Sequence, residues 1–170
     1  FSMLQFANQA FAAASGTVDI WTDYVTVIEG ENFTVNITGK AIQDLYAYEV
    51  RLTYNNSLLE LTNVTHHVQG APVKKADGNK IIIALAKSSA SLLKGNIPLC
   101  TLTFKAKATG KANLTLDTVK LMDFNLTSAN YAPQKSIEVT IIGEDNDSPP
   151  ADPGSSNGSQ PTISPSPTPG

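Results

Sequence analysis

Between Thr17 and Gly143 the chain repeats one pattern: short runs alternating apolar and polar residues, broken by turn residues, with no amphipathic helical stretch of useful length. A period of two sends successive side chains to opposite faces of a strand, so such a region buries its apolar residues by pairing strands into sheets. Leu45 to Tyr54, L-Y-A-Y-E-V-R-L-T-Y, carries the pattern most clearly. Tyr46, Tyr48, Val50, Leu52 and Tyr54 fall on one face, and Ala47, Glu49, Arg51 and Thr53 on the other, which reads as a central strand with one buried face. The face bearing Glu49 and Arg51 is the first candidate for contact with a partner. Asn55-Asn56-Ser57 is a turn signal and Leu58 to Thr65 a second β-rich run, so these two strands are expected to be antiparallel neighbours.

The remaining strands follow from the same alternation. Val18–Trp21, Val25–Ile28 and Phe33–Thr38 precede the central strand. After it, Lys80–Lys87 leaves an Asp77-Gly78-Asn79 turn, and Ile97–Lys107, Lys111–Phe124 and Ser136–Ile142 complete the series. About nine strands with short turns predict an all-β fold: a two-sheet antiparallel β-sandwich with jelly-roll topology.

One strand leaves a question open. In K-I-I-I-A-L-A-K both alternation sets are apolar, Ile81, Ile83 and Leu85 on one side and Ile82, Ala84 and Ala86 on the other. One set faces the core. The other is covered either by a partner or by a neighbouring loop such as Ser88 to Asn96.

The ends read differently from the middle. Phe1 to Ala14 is apolar and rich in small residues, with A-F-A and A-A-A sites suited to signal peptidase, so residues 1–14 are expected to be the remnant of a secretory signal; a first helix is the alternative. The domain then spans 15–143 and works outside the cytoplasm, secreted or at the cell surface. From Glu144 composition shifts to Pro, Ser, Thr, Asn and Asp, with seven of the chain's ten prolines and almost nothing apolar, so 144–170 is expected to be an extended linker to a further module or a disordered tail. No apolar run approaches the roughly 18–20 residues of a membrane span. A net charge of −3, with no basic run interleaved with aromatics, argues against nucleic acid as a partner.

Chemistry is hard to find. Cys100 is the only cysteine and sits in the strand-like I-P-L-C-T-L-T-F, which reads as a buried structural thiol. His66 and His67 are adjacent, so on a strand they point to opposite faces and do not readily share a metal; both read as surface or turn residues. No nucleophile elbow, Cys/His pair, zinc helix or phosphate loop occurs. A glycosidase needs only two carboxylates across a cleft, and Glu49, Glu60, Asp117 and Asp123 are available, but a small sandwich without long loops offers little to form the cleft. Asp145-Asn146-Asp147 imitates the start of a calcium loop, yet Pro149 and Pro150 stand where glycine and spacing are required. The expectation is a noncatalytic chain with no cofactor or metal of its own.

Taken together, L-Y-A-Y-E-V-R-L-T-Y-N-N-S-L-L-E-L resembles the cohesin pattern, in which a strand ends in Tyr-Asp, a short turn follows and Leu-Glu opens the next strand. The likeness continues through A-D-G-N-K-I-I-I-A-L-A, G-N-I-P-L-C-T-L-T-F-K-A-K and V-K-L-M-D-F, so it spans nearly all of Thr17 to Gly143. It implies a jelly-roll sandwich, related in fold to cellulose-binding modules, in a secreted or surface protein of a polysaccharide-degrading bacterium. It also implies binding of a dockerin, a small helical module that carries the calcium. Carried over by position, the contact surface comprises Ala47 and Glu49, Ala76 and Asp77, then Ile83, Leu85 and Lys87, and the later Leu126 and Thr127, with Arg51 as a further polar selector. On this reading Ile83 and Leu85 are the exposed set. Ala47 stands where dockerin-binding members often carry Asn, and Ala76 where they often carry a larger residue, so two of the usual contacts are missing; a divergent dockerin, a glycan or a spacer role are the alternatives this leaves. The rival readings are a carbohydrate-binding module of the same fold, for which Trp21, Tyr24 and Tyr131 are the available aromatics, and a structural spacer.

Overall fold

The computed structural model describes residues 15–144. The expected signal remnant, 1–14, and residues 145–170 of the expected linker lie outside the described residues. Those described form eleven strands and no helix: β1 (Ser15–Trp21), β2 (Thr26–Ile28), β3 (Asn32–Gln43), β4 (Ala47–Tyr54), β5 (Leu59–His66), β6 (Gly70–Asp77), β7 (Lys80–Lys87), β8 (Gly95–Ala106), β9 (Gly110–Met122), β10 (Ser128–Tyr131) and β11 (Lys135–Ile142).

They build a jelly-roll β-sandwich. One sheet has the order β1-β3-β8-β5; the other runs β2-β11-β9-β4-β7-β6, with β10 joined to β9. Pairing is antiparallel except between β11 and β2. The inward side chains are bulky and fully buried: Phe33, Val35, Ile37, Leu102 and Phe104 from the first sheet, Val50, Leu52, Ile81, Ile83, Leu114 and Leu116 from the second. Each such side chain contributes about 1.5–3 kcal/mol by leaving water, which makes the alternation in the sequence enforceable. Two contacts tie the layers across the core: the Tyr54 and Phe104 rings lie 5.4 Å apart, and the Tyr48 hydroxyl donates to the Leu99 carbonyl at 3.3 Å. Cys100 is buried among these residues, and burial pushes its thiol up to about 12.

The arrangement of strands departs from the sequence reading in three places. β4 and β5 are not neighbours: β4 lies between β9 and β7, and β5 pairs with β8 in the opposite sheet. The intervening turn makes the crossing, with the Leu58 and Leu59 amides both donating to the Asn55 carbonyl and Leu59 entering the core. Two strands were not expected. β6 carries Gly70, Pro72 and adjacent Lys74 and Lys75, residues that argue against a central strand but suit an edge, and an edge is where it sits. β10 is only four residues long.

The β6–β7 hairpin is sharp. Gly78 has φ 57° and Asn79 a negative φ, which fits the primed two-residue turn whose twist matches antiparallel strands.

Candidate functional site

β9, β4, β7 and β6 lie side by side, with one face inward and one outward. Register decides which side chains share the outer face, because directly paired residues in an antiparallel sheet project to the same side. Ala47 stands between Met122 and Ala86, Glu49 between Lys120 and Ala84, and Arg51 between Thr118 and Ile82. β6 extends these rows, placing Ala71 beside Ala86, Val73 beside Ala84 and Lys75 beside Ile82. β9 reaches this alignment through a bulge at Asp117, which shifts its phase so that Lys120 and Met122 point outward after Leu114 and Leu116 have pointed inward.

Small side chains at 47, 71, 84 and 86 leave a shallow depression of about 360 Å³, bounded by Val73, Met122, Glu49 and Lys120. Val73 is 59% exposed, so the apolar character continues to the sheet edge. Beyond Glu49 a second depression of about 560 Å³ is bounded by Arg51, Lys120, Asn130 and Ala132. Glu49 is therefore a wall shared by both.

Charge is arranged around this centre. Arg51 Nε donates to Glu49 Oε1 at 2.8 Å. Lys80 donates to the Thr53 hydroxyl, which donates in turn to Asp117. Lys120, although paired in register with Glu49, makes no ion pair among the described residues, and neither does Lys75. Arg51, Lys75, Lys80 and Lys120 face Glu49, Asp77 and Asp117, and Lys111 farther along β9 is paired with Glu138 on β11, so this face carries one surplus positive charge in a chain whose net charge is −3.

The expected contact residues divide on this geometry. Ala47, Glu49, Arg51 and Asp77 lie on the outer face. Ile83 and Leu85 do not: they are 0% and 2% exposed and pair with the inward Val50 and Tyr48, so the outward apolar row is Ile82, Ala84 and Ala86. Bulk decides the phase, since the larger set fills the space between the sheets and the alanines are left to the surface. Lys87 continues the inward phase and is buried at 7% exposure, its Nζ without a hydrogen bond among the described residues and 5.0 Å from the centre of the Phe124 ring. Ala76 pairs with Ile81 and projects to the opposite side from Asp77, remaining exposed because β6 is an edge. Leu126, 65% exposed, and Thr127 lie in the turn after Met122, where buried Asp123 accepts from the Asn125 and Thr127 amides.

Sequence reasoning missed Ile82, Ala84 and Ala86 as the outward row, and Val73, Lys120 and Met122 around it. The difference in bulk between the two apolar sets of β7 was the available signal. Nothing comparable marked Val73, because its strand was not recognised.

The four carboxylates considered for hydrolysis are held apart in role. Glu49 is paired to Arg51, Asp117 accepts from Thr53, Asp123 caps a turn and Glu60 lies on the opposite sheet. Among the described residues no group of three or more His, Cys, Asp or Glu is placed to hold a metal ion. His66 and His67 point to opposite faces: half-buried His66 pairs with Cys100 on β8, while His67 Nε2 lies 2.8 Å from the Thr101 hydroxyl. No helix of the described residues is long and apolar enough to cross a membrane.

This architecture is found in solved structures. A cohesin module from a family 33 glycoside hydrolase of Clostridium perfringens superposes with a TM-score of 0.69 at 18% identity, covering 77% of this chain and 99% of that one. A non-cellulosomal cohesin from the archaeon Archaeoglobus fulgidus gives 0.58 at 19%, covering 74% and 91%. A type I cohesin–dockerin complex from Clostridium thermocellum gives 0.62 at 15%, covering 77% and 97%. These likenesses establish the fold. No curated protein matches the chain. The cohesin domain family matches residues 21–142, and on that span, which takes in all but the first of the eleven strands entirely, the chain belongs to the cohesin family.

Proposed function

We propose that this chain is a noncatalytic, extracellular binding module that docks a dockerin-type protein module, within a polysaccharide-degrading system. The observation that carries the reading is the outward apolar depression on β9, β4, β7 and β6, ringed by charge and left uncovered by the described residues. Such a surface suits a helical partner: an apolar anchor seats over the alanines while the rim selects register and orientation. The free cations Lys75 and Lys120 favour acidic residues on the partner. Any calcium is carried by the partner. Family membership supports the choice of a dockerin, and the signal-like start and the Pro/Ser/Thr-rich end support an extracellular multimodular setting.

The test is capture of a panel of calcium-loaded dockerins by the wild-type chain and by Ala84→Asp and Val73→Asp. Both replaced side chains point outward, so melting temperature stays near that of the wild type. An unpaired carboxylate beneath a partner costs well over the 1.4 kcal/mol that equals a factor of ten, so capture falls at least tenfold. Undiminished capture by the variants, or no capture of any dockerin by the wild type, removes the reading.

A further inference from the structure

The opposite sheet also presents a face to solvent, and its chemistry differs from that of the docking face. Three outward rows cross β1, β3, β8 and β5. Trp21, Asn36, Thr101 and Thr65 form the middle row, Thr34, Thr103 and Asn63 the row on one side, and Asp19, Thr38 and Pro98 the row on the other. Apart from Asp19 and the small ring of Pro98, these side chains are hydroxyls, amides and one indole. Asp19 is held at the margin by Lys40 and Lys135, so the centre of the face carries no charge.

The polar groups are already oriented. Trp21 Nε1 donates to the Thr38 hydroxyl at 2.9 Å, one row away along β3, which lays the indole along the sheet; the residue remains 40% exposed. Thr101 donates to Asn36 Oδ1 at 2.9 Å, and His67 Nε2 lies 2.8 Å from the same Thr101 hydroxyl. From strand spacings the area is about 13 Å along the strands and about 14 Å across them.

We propose that this face is a second binding site, for a neutral polysaccharide, with Trp21 as the stacking platform. Sugar rings offer an apolar face to an indole and hydroxyls at their edges, and the sheet supplies both complements in one plane: the aromatic at the β1 edge, fixed donors and acceptors beside it. An uncharged centre disfavours a polyanion, and the lack of a second large apolar anchor in these rows disfavours a protein. The other two candidate aromatics differ in use. Tyr131 accepts the Val18 amide with its hydroxyl and packs against the core, and Tyr24 tilts toward Phe33 at 6.1 Å. The site lies on the sheet opposite the docking face, so both can be occupied at once.

The test is affinity electrophoresis of the full chain in gels containing hydroxyethylcellulose, neutral xyloglucan or galactomannan, with polygalacturonate as the charged comparison. Trp21 is the only tryptophan, so its emission reports occupancy directly. Retardation by at least one neutral polymer, with a shift in emission, is expected. Trp21→Ala should weaken it at least tenfold and Trp21→Phe only in part, and Thr38→Val should weaken it by freeing the indole, with melting temperatures near that of the wild type. Val73→Asp, on the docking face, should leave retardation unchanged. No retardation by the three neutral polymers, retardation by polygalacturonate alone, or equal retardation of wild type and Trp21→Ala overturns the proposal.

Discussion

Replacing Ile83 and Ile82 separately by alanine distinguishes the two faces of β7, and the whole placement of the docking face depends on that distinction. Ile83 is 0% exposed, packed between the sheets, while Ile82 is half-buried on the outer face. Truncating Ile83 removes three buried carbons, about 2.4 kcal/mol of transfer free energy at ~0.8 kcal/mol each. The residual cavity raises the loss to about 3–4 kcal/mol, because close-packed neighbours on both sheets relax only in part. Truncating Ile82 loses part of the same transfer term and some strand preference, about 1 kcal/mol. With a urea dependence of about 1.5–2 kcal/mol per molar, the unfolding midpoint should fall by about 2 M for Ile83→Ala and by about 0.5 M for Ile82→Ala. Circular dichroism in urea reads both. Dockerin capture should show the reverse order under conditions where both variants are folded, weakened by Ile82→Ala and nearly unchanged by Ile83→Ala. Equal midpoints, or a larger drop for Ile82→Ala, would refute the assignment of faces.

Two further outcomes follow from the sheets. Burial raises the Asp19 carboxyl, but hydrogen bonds and charge from Lys135 and Lys40 outweigh it and hold the group below the usual carboxylate range. A depressed folded pKa contributes stability that is present above the unfolded value and lost as pH falls through the folded one. Asp19→Asn should therefore lower stability at neutral pH by no more than about 1 kcal/mol, since both lysines are half-exposed, and the difference should vanish in acid below that folded pKa; thermal melts across pH measure it. Gly70 opens β6 against β7, where an added Cβ would lie 2.1 Å from the Ala86 carbonyl oxygen. Gly70→Ala should loosen the first turn-distal pairs of this edge and speed amide hydrogen exchange around Ala71 and Val73, while β3 and β8 remain protected.

Much of this protein was legible in its order of residues. In β4 one alternation set is apolar and the other polar, so water alone selects the face, and Glu49 and Arg51 emerge outward without knowledge of any neighbour. The β-sandwich and the family follow from the same local signals repeated along the chain. Where both sets of a strand are apolar the local signal is silent. β7 became assignable only through its pairing, Ile83 against Val50 and Leu85 against Tyr48, together with the bulk that the space between the sheets demands. The same is true of β5, which a turn carries into the opposite sheet, and of β6, whose Pro and Lys are tolerated because one side of it has no neighbour among the described strands. The sequence by itself determined that strands form and which side of the amphipathic ones is wet, since burial is a property of each residue. Only the tertiary structure decided which strands meet, and so which side chains Ala47, Ala84 and Val73 share, because pairing joins residues far apart in the chain and is settled by packing across the core.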